Sequence, residues 1–122
     1  MVERTQGGAA VHELSICKSI SDIVGRHAAG RAVGTVHVRI GKLRQIVPET
    51  LVYCWSLVSE GTALAGSKIE VESIPVTIRC TSCGHTQVLT EVAFICASCE
   101  GRKVEIVTGE EFLITSLELA EA

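Results

Sequence analysis

Residues 80–99 of this chain, CTSCGHTQVLTEVAFICASC, contain its most specific structural motif. It contains two Cys-x-x-Cys pairs, Cys80 with Cys83 and Cys96 with Cys99, with twelve residues between the pairs. Two residues between cysteines let both sulfurs face one ion, and zinc prefers four such ligands in a tetrahedron at about 2.3 Å. Because four protein ligands leave no position for a substrate, the spacing predicts a closed, structural zinc site.

Other uses of the four cysteines are weaker predictions. Iron also accepts four thiolates, so a rubredoxin-like site is an alternative that elemental analysis would separate. A redox pair would need a thioredoxin-like strand and helix around it, and the sequence does not predict one. Gly84 follows the first pair, where glycine permits a positive φ, whereas Gly101 comes one place late after the second pair. His85, beside Cys83, is a fifth and weaker candidate ligand.

The composition of the whole chain limits the class of protein. The chain has 122 residues, is 47% apolar and carries a formal net charge of -3, which suits one globular domain with a small insert. No stretch is apolar over the ~20 residues of a membrane span, and the N-terminus has no apolar signal segment. We therefore expect a cytoplasmic protein with no membrane partner, whose cysteines stay reduced.

Charge and aromatic content argue against nucleic acid as a partner. Residues 67–122 carry nine acidic and four basic side chains, and the whole chain has only four aromatic residues. A nucleic-acid module of the zinc-ribbon type would need basic groups for phosphates and aromatic rings for bases. That function is kept as an alternative to be tested by salt-sensitive DNA binding.

Hydrophobic periodicity predicts an α+β fold. The predicted elements are a helix over 13–29, a strand over 35–40, a helix from Pro48 to about Gly61, a strand over 69–74, short β runs at 86–89 and 104–107, and a last strand over 112–119. We expect two helices packed on one face of a small three-stranded sheet, with an inserted zinc-ribbon-like four-cysteine subdomain. The predicted domains are a disordered extension over 1–10, a discontinuous α+β domain over 11–76 and 109–122, and a zinc-binding subdomain over 77–108.

Cysteines and histidines outside the two Cys-x-x-Cys pairs, each of which is called a knuckle below, are predicted to be structural. Cys17 and Cys54 stand at helical positions among apolar neighbours, as packing cysteines do. His27, near the end of the first helix, and His37, on the polar face of a strand, are weaker metal candidates.

The order of motifs along the chain resembles the HypA/HybF family, nickel metallochaperones of [NiFe]-hydrogenase maturation. The resemblance runs from about Val11 to Glu118. The residues that carry it are His12-Glu13-Leu14-Ser15-Ile16-Cys17, Pro48-Glu49 with Leu51, Gly61-Thr62, Ile69-Glu70-Val71 and the two Cys-x-x-Cys pairs.

The resemblance implies that Ni(II) is bound as cargo at a Met-His-Glu start, which His12 and Glu13 match here. A neutral imidazole, deprotonated backbone nitrogens and a free α-amine form the nitrogen set that suits Ni(II). Position 11 is Val, and ten residues precede it. We hypothesise that translation starts at Val11 from a GTG codon, which would restore Met-His-Glu; an intact mass that includes residues 1–10 would refute this.

The resemblance also implies partners. These are a GTPase accessory protein of nickel insertion and the hydrogenase large subunit, with urease maturation added in some relatives. We expect no enzymatic activity, since no nucleophile elbow, P-loop or dinucleotide motif occurs. The oligomeric state is left open, with a homodimer as one alternative.

Overall fold

The computed structural model describes residues 2–91 and 93–120, with side chains from His12 onward. The elements are α1 Val2–Ala28, β1 Val33–Gly41, a 3₁₀ turn Lys42–Arg44, α2 Pro48–Ser59, β2 Lys68–Ile74, β3 Thr77–Cys80, β4 Thr86–Val88, β5 Val104–Thr108 and β6 Phe112–Leu119. Two three-stranded sheets result, in the orders β2-β1-β6 and β4-β3-β5. The predicted α+β fold is confirmed.

The chain divides into two compact units. The first, called the helical unit, contains the chain up to Val38, Ile46–Glu72 and the C-terminal segment from Leu113. The second, called the cysteine unit, contains Arg39–Gln45 and Ser73–Phe112. The cysteine unit thus includes a short segment from the middle of the chain in addition to the predicted insert.

Helix α1 supplies one side of the core of the helical unit. Cys17, Ile20 and Val24 are fully buried, at the spacing of three and four residues that places side chains on one helical face. The helix ends at Ala28, and Ala29 and Gly30 then take positive φ angles of 52° and 86°. Sequence predicted both this face and the stop at Gly30.

The start of α1 differs from the sequence prediction. Residues 1–10 were expected to form a disordered extension, whereas α1 begins at Val2. The apolar pattern begins only at the end of this segment, so periodicity could not indicate it. Adding residues to an existing helix needs no new nucleus, which is why a polar segment can continue one.

The sheet and the second helix complete this core. Alternate residues of β1, Val36 and Val38, are buried and His37 between them is not, as the predicted alternation requires. From α2, Leu51 and Trp55 are buried, and the Trp55 indole N–H donates to the Ser67 hydroxyl at 3.0 Å. Val52, next to Leu51 on α2, is 47% exposed.

In the cysteine unit the central strand is β3, which the sequence analysis did not predict. It pairs antiparallel with β4, where Ile78 faces Gln87, and with β5, where Cys80 faces Val104. Ile78 is 1% exposed and forms the apolar centre of this small sheet. β3 therefore delivers Cys80 at its end, next to the paired strands.

Gly41, the last residue of β1, has no space for a side chain. Its backbone is extended, with φ -71° and ψ 144°. A Cβ at this position would lie 1.9 Å from the carbonyl oxygen of Gly109. The Gly41 N–H donates to the Glu111 carbonyl at 2.8 Å, and the Leu43 N–H donates to Gly109 at 2.9 Å. Two backbone segments of the cysteine unit approach so closely here that no side chain fits.

None of the helices in the described part of the chain is both long and apolar enough to cross a bilayer.

Candidate metal centre

The four knuckle cysteines converge in the cysteine unit. All four sulfur atoms lie within 4.8 Å of one another. The sulfurs of Cys80 and Cys99 are 3.6 Å apart, as are those of Cys83 and Cys96. In a tetrahedron with metal–sulfur bonds of about 2.3 Å, sulfurs are about 3.8 Å apart. The cluster therefore has the dimensions of a four-thiolate metal site.

The two knuckles have the same backbone hydrogen bonds. In the first, Cys80 N–H donates to His85 at 2.8 Å, and Gly84 N–H donates to Cys80 at 2.9 Å. In the second, Cys96 N–H donates to Gly101 at 2.9 Å, and Glu100 N–H donates to Cys96 at 2.8 Å. The backbone of each pair is therefore closed in the same way before any metal is considered.

The matching of the knuckles corrects the interpretation of Gly101. Glu100 takes φ 62° at the position where Gly84 takes φ 79°, so a glutamate accepts the left-handed conformation in the second knuckle. A Cβ on Gly101 would lie 3.1 Å from the Cys99 sulfur. A side chain at position 101 would thus crowd the Cys99 sulfur, while the turn itself is made by Glu100.

Gln87 holds the second knuckle against the sheet. Its side-chain oxygen accepts the Ala97 N–H at 2.8 Å, and its side-chain nitrogen donates to the Ile95 carbonyl at 3.4 Å. Ala97 lies between the two cysteines of that knuckle. Sequence reasoning missed this residue, because a glutamine in a short β run has no pattern of its own.

Hydrogen bonding divides the thiols into two types. The backbone N–H of Cys83 lowers the pKa of Cys80 to about 6, and that of Cys99 lowers the pKa of Cys96. The backbone N–H of Gly101 lowers the pKa of Cys99, but hydrogen bonds to the Cys80, Cys83 and Cys96 sulfurs outweigh it, and the value rises to about 12. Backbone hydrogen bonds thus favour the thiolate form of the leading cysteine of each pair, whereas the neighbouring sulfurs favour the protonated form of Cys99.

The structure separates the side chains of His12 and Glu13. His12 is exposed on α1, whereas Glu13 is 1% exposed. One Glu13 oxygen accepts the N–H of Val47, the residue before α2, at 2.8 Å, and the other has no hydrogen-bond partner among the described residues. Neighbouring helical residues point about 100° apart, so one side chain of the pair faces solvent and the other the core.

Cys17 and Cys54 are core residues, as predicted. The Cys17 thiol donates to the Leu51 carbonyl at 3.4 Å. Burial, with Cys54 and Glu13 adding to it, raises the pKa of Cys17 to about 12, and burial also raises that of Cys54. Both stay protonated thiols at neutral pH, with no role as thiolate ligands.

The remaining histidines lie at separate places. His85 is exposed, and its carbonyl closes the first knuckle; His27 is exposed on the last turn of α1. His37 lies on β1 between two carboxylates of the helical unit.

A four-thiolate site on paired knuckles, carried by a chain that also has a two-helix unit, defines a small metal-binding protein of the α+β class. A family model described as "Hydrogenase/urease nickel incorporation, metallochaperone, hypA" matches residues 11–119. This chain belongs to the HypA family, metallochaperones of hydrogenase maturation.

Individual relatives agree with the family assignment. The hydrogenase maturation factor HypA of Desulfosudis oleivorans is 36% identical, with 91% of this chain and all of that protein aligned. The HypA of Nostoc sp. strain PCC 7120 is 34% identical, covering 91% of this chain and 97% of that one. The solution structure of the Ni metallochaperone HypA from Helicobacter pylori matches in fold, with a TM-score of 0.62 at 21% identity over 88% of this chain and 96% of that one.

Proposed function

We propose that this chain holds Ni(II) at His12 and passes it on during hydrogenase maturation, while a structural Zn(II) occupies the four-cysteine site. The observation that carries the proposal is the exposure of His12 within the region that the family model matches. A ligand of the receiving protein can replace an exposed ligand, whereas it could not reach a buried one. A carrier needs that property more than it needs high affinity.

The four-cysteine site fits zinc. Its donors are four sulfurs at tetrahedral spacing, and backbone N–H groups lower the pKa values of two of them, which favours the thiolate form that zinc binds. Cys80, Cys83, Cys96 and Cys99 would hold the ion and leave no open position. Zinc would stabilise the fold of the cysteine unit when bound. Elemental analysis of the purified protein tests this, and iron in place of zinc would favour the rubredoxin-like alternative.

The nickel ligands that we propose are the His12 imidazole and the backbone nitrogens of His12 and Glu13. Glu13 would contribute through its backbone, since its carboxylate is buried against the Val47 N–H. That contact fixes the side of α1 on which Glu13 lies, and thereby keeps His12, about 100° further round the helix, accessible to solvent. Glu13 thus supports the site from within the fold.

The part of α1 that precedes His12 affects whether these backbone nitrogens are available to bind a metal. In a helix that begins at Val2, the N–H groups of His12 and Glu13 are used in hydrogen bonds to carbonyls four residues earlier. In a chain beginning at residue 11 they would belong to the first turn, where N–H groups have no helical partner. We therefore expect Ni(II) to bind more tightly to a chain that starts with Met at position 11. Equal affinity for the two chains would mean that the α-amine and these nitrogens are not ligands.

The central test is a nickel titration of the zinc-loaded protein. We expect His12→Ala to remove the tight site and His27→Ala, an exposed histidine on the same helix, to leave it unchanged. Isothermal titration calorimetry gives both affinity and stoichiometry. Unchanged binding in His12→Ala, with zinc content intact, would refute the assignment.

The recipients that we propose are a GTPase accessory protein of nickel insertion and the hydrogenase large subunit, with urease as a second target. The free thiols of all six cysteines suit a reducing compartment, for which we propose the cytoplasm. Transfer of radioactive nickel from the loaded chain to the apo large subunit tests the direction of delivery. A homodimer is an alternative state that light scattering would detect.

A further inference from the structure

Gln87 connects the strand that carries the first knuckle with the second knuckle. It lies on β4 and pairs with Ile78 of β3, and β3 ends at the ligand Cys80. Paired residues of neighbouring antiparallel strands place their side chains on the same face of a sheet, so the Gln87 side chain lies beside that of Ile78, which is 1% exposed. The backbone of Gln87 is therefore fixed to the strand that ends at Cys80.

The side-chain amide of Gln87 contacts the backbone on both sides of Cys96. The Ala97 N–H donates to its oxygen at 2.8 Å, and its nitrogen donates to the Ile95 carbonyl at 3.4 Å, the longer and weaker bond of the two. Since only the oxygen of an amide accepts from an N–H, the bond from Ala97 also determines which end of the amide faces Ile95. Cys96 itself is 1% exposed. Gln87 thus determines where the backbone of a buried ligand cysteine lies.

The two knuckles are held by different means. Cys80 is the last residue of β3, and Thr81 after it donates to the Lys103 carbonyl through both its N–H and its hydroxyl, each at 2.8 Å. Cys96 lies in irregular chain between β4 and β5, and the side chain of Gln87 links its neighbour to β4. Strand pairing must break before the first knuckle moves, whereas rotation of one side chain releases the second. The second knuckle is therefore the half that separates more easily.

We propose that Gln87 is the positioning residue of the second knuckle and controls how fast the four-cysteine site loses its metal. When the amide of Gln87 releases Ala97, the second knuckle separates first and the first knuckle stays on the sheet. Groups that hold a metal ligand from outside the coordination shell commonly change metal affinity by about 10–100-fold. Zinc as the metal rests on the proposed function, whereas the hydrogen bonds of Gln87 serve any ion that four thiolates accept.

The first test compares the zinc-loaded wild type with Gln87→Met, which keeps the length of the side chain and removes both hydrogen bonds. We expect Gln87→Met to transfer zinc to a chromophoric chelator about tenfold faster or more. Thr86 is exposed and adjacent on β4, so Thr86→Ala is the matched control and should transfer zinc at the wild-type rate. In the cobalt-substituted proteins, the d–d bands should change in Gln87→Met and not in Thr86→Ala, because these bands depend on the arrangement of the ligands around the ion.

The second test distinguishes positioning from a general loss of stability. Cys80 and Cys96 are a matched pair, since each leads its knuckle and they are 2% and 1% exposed. The zinc-loaded proteins are alkylated with a maleimide, and mass spectrometry gives the initial rate at each cysteine. We expect Gln87→Met to accelerate the alkylation of Cys96 about tenfold or more relative to that of Cys80.

Two results would overturn the proposal. One is transfer of zinc from Gln87→Met at the wild-type rate, and the other is equal acceleration at Cys80 and Cys96, which would mean that the whole cysteine unit is loosened. If Gln87→Met does not hold zinc, Ala97→Pro takes its place, because it removes the N–H that donates to the amide. It should show the same preference for Cys96, and the lack of that preference would also overturn the proposal. Failure of the zinc assignment looks different, because the wild type would then contain iron while the cobalt spectra would still report the effect of Gln87.

Discussion

The two knuckles invite one matched pair of substitutions, because they differ in the residue that takes the positive φ. Glu100 has φ 62° in the second knuckle, and Gly84 has φ 79° in the first. A residue with a Cβ destabilises this left-handed conformation by about 1–2 kcal/mol, and glycine does not. Glycine in turn destabilises the folded state by about 0.5–1 kcal/mol, because it has more conformational freedom in the unfolded chain.

Glu100→Gly should therefore stabilise the knuckle by about 0.5–1 kcal/mol, the difference between these effects. Gly84→Ala should destabilise the first knuckle by a similar or larger amount. No heavy atom lies within 4 Å of a Cβ built on Gly84, so its conformation is the only cause. The paired variants thus isolate backbone strain from contacts.

Zinc affinity is the appropriate measurement, because metal binding and folding of such a unit are coupled. A change of about 0.5–1 kcal/mol corresponds to about a two- to fivefold change in affinity. We expect competition with a chromophoric chelator to show tighter zinc binding for Glu100→Gly and weaker binding for Gly84→Ala. Glu60→Gly is the matched control: Glu60, the residue after α2, has φ -62°, so zinc affinity should stay unchanged.

A zinc affinity equal to that of wild type in both Glu100→Gly and Gly84→Ala would show that backbone strain at these two positions has no part in forming the site.

Three further predictions concern packing, pH and the anchor of α1. Gly41→Ala should lower the free energy of unfolding by at least about 3 kcal/mol, or prevent folding, because its Cβ would lie 1.9 Å from a carbonyl oxygen. A denaturation midpoint near that of wild type would contradict this prediction. Zinc affinity should fall steeply as pH drops through 6, where Cys80 protonates, and zinc binding near pH 7 should release the proton of Cys99. Calorimetry in buffers of different ionisation enthalpy detects proton release, and its absence would refute the raised pKa of Cys99. Glu13→Ala should destabilise the protein by about 1–3 kcal/mol, because the Val47 N–H loses its acceptor. Glu13→Gln should destabilise it less, because the amide oxygen of glutamine can still accept this hydrogen bond. Equal losses of unfolding free energy for the two variants in urea denaturation would show that the hydrogen bond is not the cause.

Sequence was sufficient where a local pattern determines the structure. The alternation around His37 predicted which residues of β1 are buried, and the last strand begins and ends at Phe112 and Leu119 as predicted. The spacing of the two Cys-x-x-Cys pairs predicted that four sulfurs meet. In each case the deciding residues are neighbours, or lie in a short repeated motif.

Sequence was insufficient where distant segments meet. Sequence did not indicate β3, because its four residues, Thr77–Cys80, are too few to show a clear alternation. The burial of Glu13 depends on Val47, thirty-four residues away, and the space required at Gly41 depends on Gly109. A glutamate such as Glu13 and a glycine such as Gly41 each have a common local explanation, helix polarity for the first and a turn for the second. In the structure each is explained instead by a tertiary contact.

The burial of Trp55 gives the protein a built-in optical reporter. It is the single tryptophan of the chain, it is 1% exposed, and it lies in the helical unit. Its emission therefore registers the packing of that unit alone. Absorption bands between cobalt and thiolate, after metal substitution, would register the cysteine unit. The two signals can be recorded in a single cuvette without attaching a label. They would show the order in which the two units melt, and whether added nickel changes the absorption of the four-cysteine site.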